Sequence, residues 1–168
     1  SHFNMNKFFL IGMPAAGKTT AGKFISNNTN LELFDLDEEI EKYCGKKISD
    51  IFNENGEEYF RKIENNQLTN IIKKYDRFIL SLGGGTPCYK NNMDIIKKSG
   101  VSFFIDRDLE FIINKVKKNK KRPIFYEKDD IKGFIKKMYS SRKKFYNRSN
   151  FTVNNKEEIL SLIKSITK

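Results

Sequence analysis

Eight residues, Gly12-Met13-Pro14-Ala15-Ala16-Gly17-Lys18-Thr19, carry the plainest chemistry in this sequence. They satisfy GxxxxGK[ST], follow a short apolar run and open a helical stretch, the context in which that pattern wraps a triphosphate. Such a loop turns backbone N–H groups inward on the phosphates, and the helix start adds its positive dipole end. Gly12, Ala15, Ala16, Gly17 and Thr20 then form the cradle, Lys18 reaches the β- and γ-phosphates, and Thr19 offers a hydroxyl to Mg2+. Two aspartates, Asp35 and Asp37, stand two apart after a second strand-like run. One carboxylate can hold Mg2+ through water while the other takes the proton of an acceptor hydroxyl. The competing reading is a helix cap, with Asp37 followed by Glu38 and Glu39 in the first turn. Gly83-Gly84-Gly85 ends a third run, and consecutive glycines let a substrate rest against bare backbone.

Arginine is scarce beside abundant lysine: Arg61, Arg77, Arg107, Arg122, Arg142 and Arg148 are the whole set. Each is a candidate for the planar fork that grips a carboxylate or phosphate at two points. Arg77 and Arg107, flanking strands, read as ordinary surface charges.

These groups need elements to bring them together. Strand-like runs fall at Lys7–Gly12, Leu31–Asp35, Arg77–Leu82, Val101–Ile105 and, weakly, Phe151–Val153. Helical stretches lie between them: Gly17 to about Asn27, Glu38–Tyr43, Ile48 to about Lys74 with a break at Gly56, Asn91–Ser99, Leu109–Lys118 and Ile131–Tyr146. Lys156–Thr167 closes the chain as an amphipathic helix. Continuous apolar runs are those of parallel strands covered on both faces. The expected fold is α/β: a doubly wound three-layer sandwich with a five-stranded parallel sheet, the phosphate loop after the first strand, and a mobile lid.

Composition narrows the rest. The 168 residues make one domain, 5–168, with Ser1–Asn4 set aside as a cloning remnant ahead of Met5. A single histidine, His2, excludes His-based triads and His-ligated metals. Cys44 and Cys88 form no CxxC and fit a reducing, cytoplasmic setting. No apolar run approaches a membrane span and nothing resembles a signal peptide. The net charge of +11 invites a nucleic-acid partner, yet residues 1–106 net to zero while 107–148 carry +10. A nucleic-acid-binding module would leave Asp35, Asp37 and the phosphate loop idle.

Taken in order, these motifs resemble shikimate kinase, over nearly all of the chain from Lys7 to Val153. The matching stretches are the phosphate loop, Phe34–Glu41, Asp50–Glu64, Leu80–Gly85, Arg122-Pro123 and Arg142. The resemblance implies transfer of the ATP γ-phosphoryl group to the 3-hydroxyl of shikimate, on the route to aromatic amino acids, by a monomer. By it Asp37 is the base and binds the hydroxyl, with Asp35 near the metal through water. Arg61 and Arg142 clamp the carboxylate, Gly83, Gly84 and Gly85 contact the ring hydroxyls, and Phe52 and Phe60 wall the pocket. Arg122 swings in with a lid at about 117–130, and an acceptor-binding insertion spans about 36–64. The chain departs from the family pattern at Ala15, Lys144 and Arg148, and after Val153 it lacks a proline that in some relatives packs near adenine. The alternatives are another small-molecule kinase of the same superfamily, acting on gluconate or a nucleoside monophosphate, and the nucleic-acid module.

Overall fold

The computed structural model describes residues 4–119 and 130–167. Five strands form one sheet: β1 (Lys7–Ile11), β2 (Leu33–Asp35), β3 (Phe78–Ser81), β4 (Val101–Ile105) and β5 (Phe151–Val153), ordered β2-β3-β1-β4-β5. Every pairing is parallel, with Phe8 of β1 opposite Ile79 on one side and Val101 on the other. The described helices are α1 (Lys18–Asn27), α2 (Leu36–Cys44), α3 (Ile48–Lys74), α4 (Asn92–Ser99), α5 (Leu109–Lys118), α6 (Ile131–Tyr146) and α7 (Lys156–Ile166). A 3-10 turn, Thr86–Cys88, follows the glycine loop. Among the described residues no helix is long and apolar enough to cross a membrane.

Alternation along β1 divides the core. Phe8 and Leu10 face one layer, with Ile25 of α1 and Ile159 and Ile163 of α7. Phe9 and Ile11 face the other, with Leu68 of α3, Ile96 of α4, Ile112 of α5 and Ile135 of α6. Each of these fully buried side chains contributes about 1.5–3 kcal/mol of transfer free energy. Strands apolar on both faces are therefore required, as the continuous runs imply.

Two boundaries differ from the sequence expectation by two residues, each for a local reason. Leu31 is buried but outside β2, because its backbone is bound by side chains: the Ser26 hydroxyl donates to its carbonyl (2.9 Å) and its N–H donates to the Thr29 hydroxyl (3.2 Å). Helix α2 starts at Leu36 rather than Glu38, since the cap is Asp35 and not Asp37: the Asp35 carboxylate accepts from the Glu38 N–H at 3.2 Å. The expected break at Gly56 is present inside α3, with φ 85 and ψ 171, a conformation essentially reserved for glycine.

The lid expected at about 117–130 lies almost wholly outside the described residues, and Arg122 and Pro123 with it.

Candidate active site

In an open α/β sheet the carboxyl ends of the strands meet the ligand crevice. β1 delivers the phosphate loop there, β2 delivers Asp35 and Asp37, and β3 delivers Gly83–Gly85. They surround a cleft of about 580 Å3. Ala15, Gly17, Lys18, Thr19 and Thr20 line its phosphate-loop side; Gly12 and Ala16 lie buried behind. The Lys18 ammonium donates to the carbonyls of Gly12 (2.5 Å) and Met13 (3.1 Å), which folds the loop around its side chain. Gly17 has φ 97, and Ala15 adopts φ 68, a left-handed conformation that disfavours an alanine by about 1–2 kcal/mol. A left-handed residue within the loop is what turns successive N–H groups toward an anion.

Opposite stands Asp37, half-buried, with its carboxyl pushed up from an ordinary 3.8 to about 6. Burial is the largest cause, the negative charges of Asp35 and Glu64 add to it, and Lys18 opposes it. Asp35 also lies near the loop, its second oxygen accepting from the Thr19 hydroxyl at 3.4 Å.

The side of the cleft away from the phosphate loop is set by the three glycines. A β-carbon on Gly83 would stand 3.1 Å from an Asp37 oxygen, and one on Gly84 would stand 2.8 Å from a guanidinium nitrogen of Arg142. On Gly85 it would stand 2.9 Å from the guanidinium carbon of Arg61. Three glycines in a row are thus space for three functional side chains, one apiece. Phe52 and Phe60, their rings tilted with centres 4.7 Å apart, line the same cleft. Tyr146, fully buried one turn after Arg142, donates its hydroxyl to the Gly84 carbonyl at 2.6 Å. Burial pushes that hydroxyl well above its ordinary value, so it remains a donor.

Several neighbours of the cleft were given no role from the sequence. Glu64, 1% exposed, pairs with Arg61 (Nη1 to Oε1, 2.9 Å) and also accepts from the Thr86 hydroxyl at 2.8 Å. Only the Arg61–Glu64 spacing of three along a helix offered a signal. Arg107 departs from the surface-charge expectation: its guanidinium lies 3.8 Å over the Phe111 ring. It lines another pocket, of about 180 Å3, with Ala16 and Asn155; Gly17, Thr20 and Lys115 line both.

The family model for shikimate kinase matches residues 14–168 of this chain. The chain belongs to the shikimate kinase family. It is 38% identical over 148 residues to the shikimate kinase of Azobacteroides pseudotrichonymphae genomovar. CFP2, covering 86% of this chain and 87% of that one. Among solved structures it is similar to the shikimate kinase of Bacteroides thetaiotaomicron, with TM-score 0.86 and 30% identity over 96% of each chain. It is also similar to the shikimate kinase of Acinetobacter baumannii solved in complex with shikimate, with TM-score 0.87 and 25% identity over 95% of this chain and 93% of that one. Family membership identifies the chain as a kinase with ATP as co-substrate.

Proposed function

We infer that the chain transfers the γ-phosphoryl group of ATP to the 3-hydroxyl of shikimate, giving shikimate 3-phosphate and ADP, and that the cleft residues divide this work. The observation that carries the reading is the meeting of Lys18, Asp37, Arg61 and Arg142 around one cleft. Two guanidinium forks suit a carboxylate, and a carboxylate beside a phosphate loop suits a hydroxyl that must lose its proton.

In the proposed reaction Asp37 binds the 3-hydroxyl and accepts its proton as the oxygen attacks the γ-phosphorus. The bond from that phosphorus to the β–γ bridging oxygen breaks, and the electron pair leaves on ADP. Lys18 and the loop N–H groups hold the β- and γ-phosphates in line, so positioning and charge neutralisation supply most of the acceleration. Arg61 and Arg142 hold the shikimate carboxylate, Gly83–Gly85 meet its ring hydroxyls, and Phe52 and Phe60 enclose the ring. Arg122 keeps its sequence-based assignment, neutralising the transferred group from the lid. Hard oxygen donors, the Thr19 hydroxyl and the Asp35 carboxylate, fit Mg2+ directly and through water. With Mg2+ held by these residues, charge on the phosphate oxygens would be neutralised. The pocket under Arg107 is the proposed adenine site, because a flat guanidinium stacks on aromatic faces.

The reading takes the chain as a single domain, 5–168, with 36–64 as its acceptor-binding insertion, acting as a cytoplasmic monomer on small molecules without nucleic acid. Its two free cysteines suit a reducing compartment, and its excess charge, gathered in 107–148, suits anionic substrates.

The test is an ADP-release assay with shikimate, gluconate, AMP and no acceptor. Turnover is expected with shikimate alone; turnover with gluconate or AMP but not shikimate would sink the assignment. A pH profile adds a second check. Asp37 must be ionised to take a proton, so kcat/KM for shikimate should fall about tenfold per pH step below about 6. A profile flat down to pH 4.5 removes Asp37 as the base.

A further inference from the structure

We propose that Thr86 and Asn92 are positioning residues for the acceptor clamp, acting on Arg61 through Glu64. The proposal rests on reading Arg61 as a grip on the shikimate carboxylate. The two oxygens of Glu64 are divided between two donors: Arg61 takes one and the Thr86 hydroxyl the other. A carboxylate held on both sides has a fixed plane, and the guanidinium paired with it inherits that orientation. Thr86 is itself held. Its carbonyl accepts from the Asn92 side-chain amide at 3.0 Å, and its N–H donates to the Gly83 carbonyl at 3.1 Å. The Asn92 oxygen accepts in turn from the Asn65 amide at 2.6 Å.

Asn65 is the chain neighbour of Glu64, so these bonds close a ring: Glu64 to Thr86, Thr86 to Asn92, Asn92 to Asn65, and back along α3. Glu64, Thr86 and Asn92 are all buried, with Thr86 and Asn92 at 0% exposure. Breaking any link leaves a buried polar group without its partner, which makes the ring rigid. Thr86 also follows Gly85 directly, and Gly85 is the position whose missing side chain makes room for the Arg61 guanidinium. One buried threonine therefore ties the floor of the acceptor site to the arginine above it.

The test is Thr86→Val, which keeps the branched shape and removes the hydroxyl. The KM for shikimate is expected to rise about 10-fold, the scale on which partners of a ligand-binding group act. The KM for ATP and kcat should stay within about twofold, and Thr86→Ser should restore the shikimate KM. A merely structural threonine would change both KM values together or neither; either result, or a serine variant no better than valine, overturns the proposal. Asn65→Ala serves if the valine variant does not fold, because the position is half-exposed and alanine favours a helix. It should raise the shikimate KM about threefold with the ATP KM unchanged; an unchanged shikimate KM overturns the proposal. Arg61→Lys in the same assays separates the two readings. If it leaves the shikimate KM unchanged, the clamp assignment itself is wrong. If it raises that KM and Thr86→Val does not, only the positioning role falls.

Discussion

Asp37→Asn is expected to lower kcat about 10²–10⁴-fold while making the protein more heat-stable. The loss of rate follows from removing a carboxylate that lies between the phosphate loop and the glycine side of the cleft. The gain in stability follows from what the site does to that carboxylate. Folded, Asp37 takes up its proton at about pH 6; unfolded, it does so near 3.8. Between those values the folded chain holds the extra proton, so this group's stabilising contribution is full below 3.8 and is lost as pH rises through 6. At neutral pH the ionised carboxyl disfavours the fold by up to about 3 kcal/mol, less what water in the open cleft screens. Asparagine keeps the shape and removes the charge. At pH 7.5 the melting temperature should rise on the order of 2–6 °C, and at pH 4 the difference should largely vanish. Steady-state kinetics and thermal melts at the two pH values check both halves. A near-normal kcat removes Asp37 as base, and a lowered melting temperature at pH 7.5 contradicts the strained carboxylate.

Gly85→Ala should lower kcat/KM for shikimate about 10- to 100-fold in a protein that still folds. The backbone at Gly85, φ −92 and ψ −9, is ordinary for alanine, so the fold itself does not require glycine here. What the methyl group meets is the Arg61 guanidinium, at 2.9 Å from its central carbon, and that group is held by Glu64. The arginine must move, and the three atoms nearest that methyl all belong to it, none to the phosphate loop. The KM for ATP should therefore stay within about twofold. Gly84→Ala is the contrast: its methyl meets Arg142 at 2.8 Å and also the Pro14 ring at 3.0 Å, so it should disturb both substrates. Varying each substrate in turn for both variants decides the matter. An unchanged shikimate KM in Gly85→Ala would show that Arg61 plays no part in binding.

Much of this was legible along the chain. Strand β4 and helices α5 and α6 fall where apolar runs and helical spacing put them, because those patterns are imposed by the core itself. The phosphate loop was legible because its chemistry lies within eight consecutive residues. Which aspartate caps α2 was not, since Asp35 and Asp37 have equivalent neighbours and only the three-dimensional path of β2 chooses between them. The reason for three glycines was also hidden. Arg61 precedes Gly85 by 24 positions and Arg142 follows Gly84 by 58, so no local pattern records that they share space. Glu64, Thr86 and Asn92 are joined by long-range hydrogen bonds between individually unremarked polar residues. Arg107 read as a surface charge because it flanks a strand, and that position gives no sign of its stacking on Phe111.

The glycine joint in α3 gives the acceptor site a further property. Phe52 lies before Gly56, and Phe60, Arg61 and Glu64 lie after it. A continuous helix would lock the angular position of the wall to that of the arginine, so that any insertion in one would rotate the other by about 100° per residue. With Gly56 between them, Phe52 turns independently of the arginine, while Phe60 stays on the arginine's segment. Changes within 48–55 can recontour the pocket for a different ring or chain, while Arg61 keeps its bearing on Glu64.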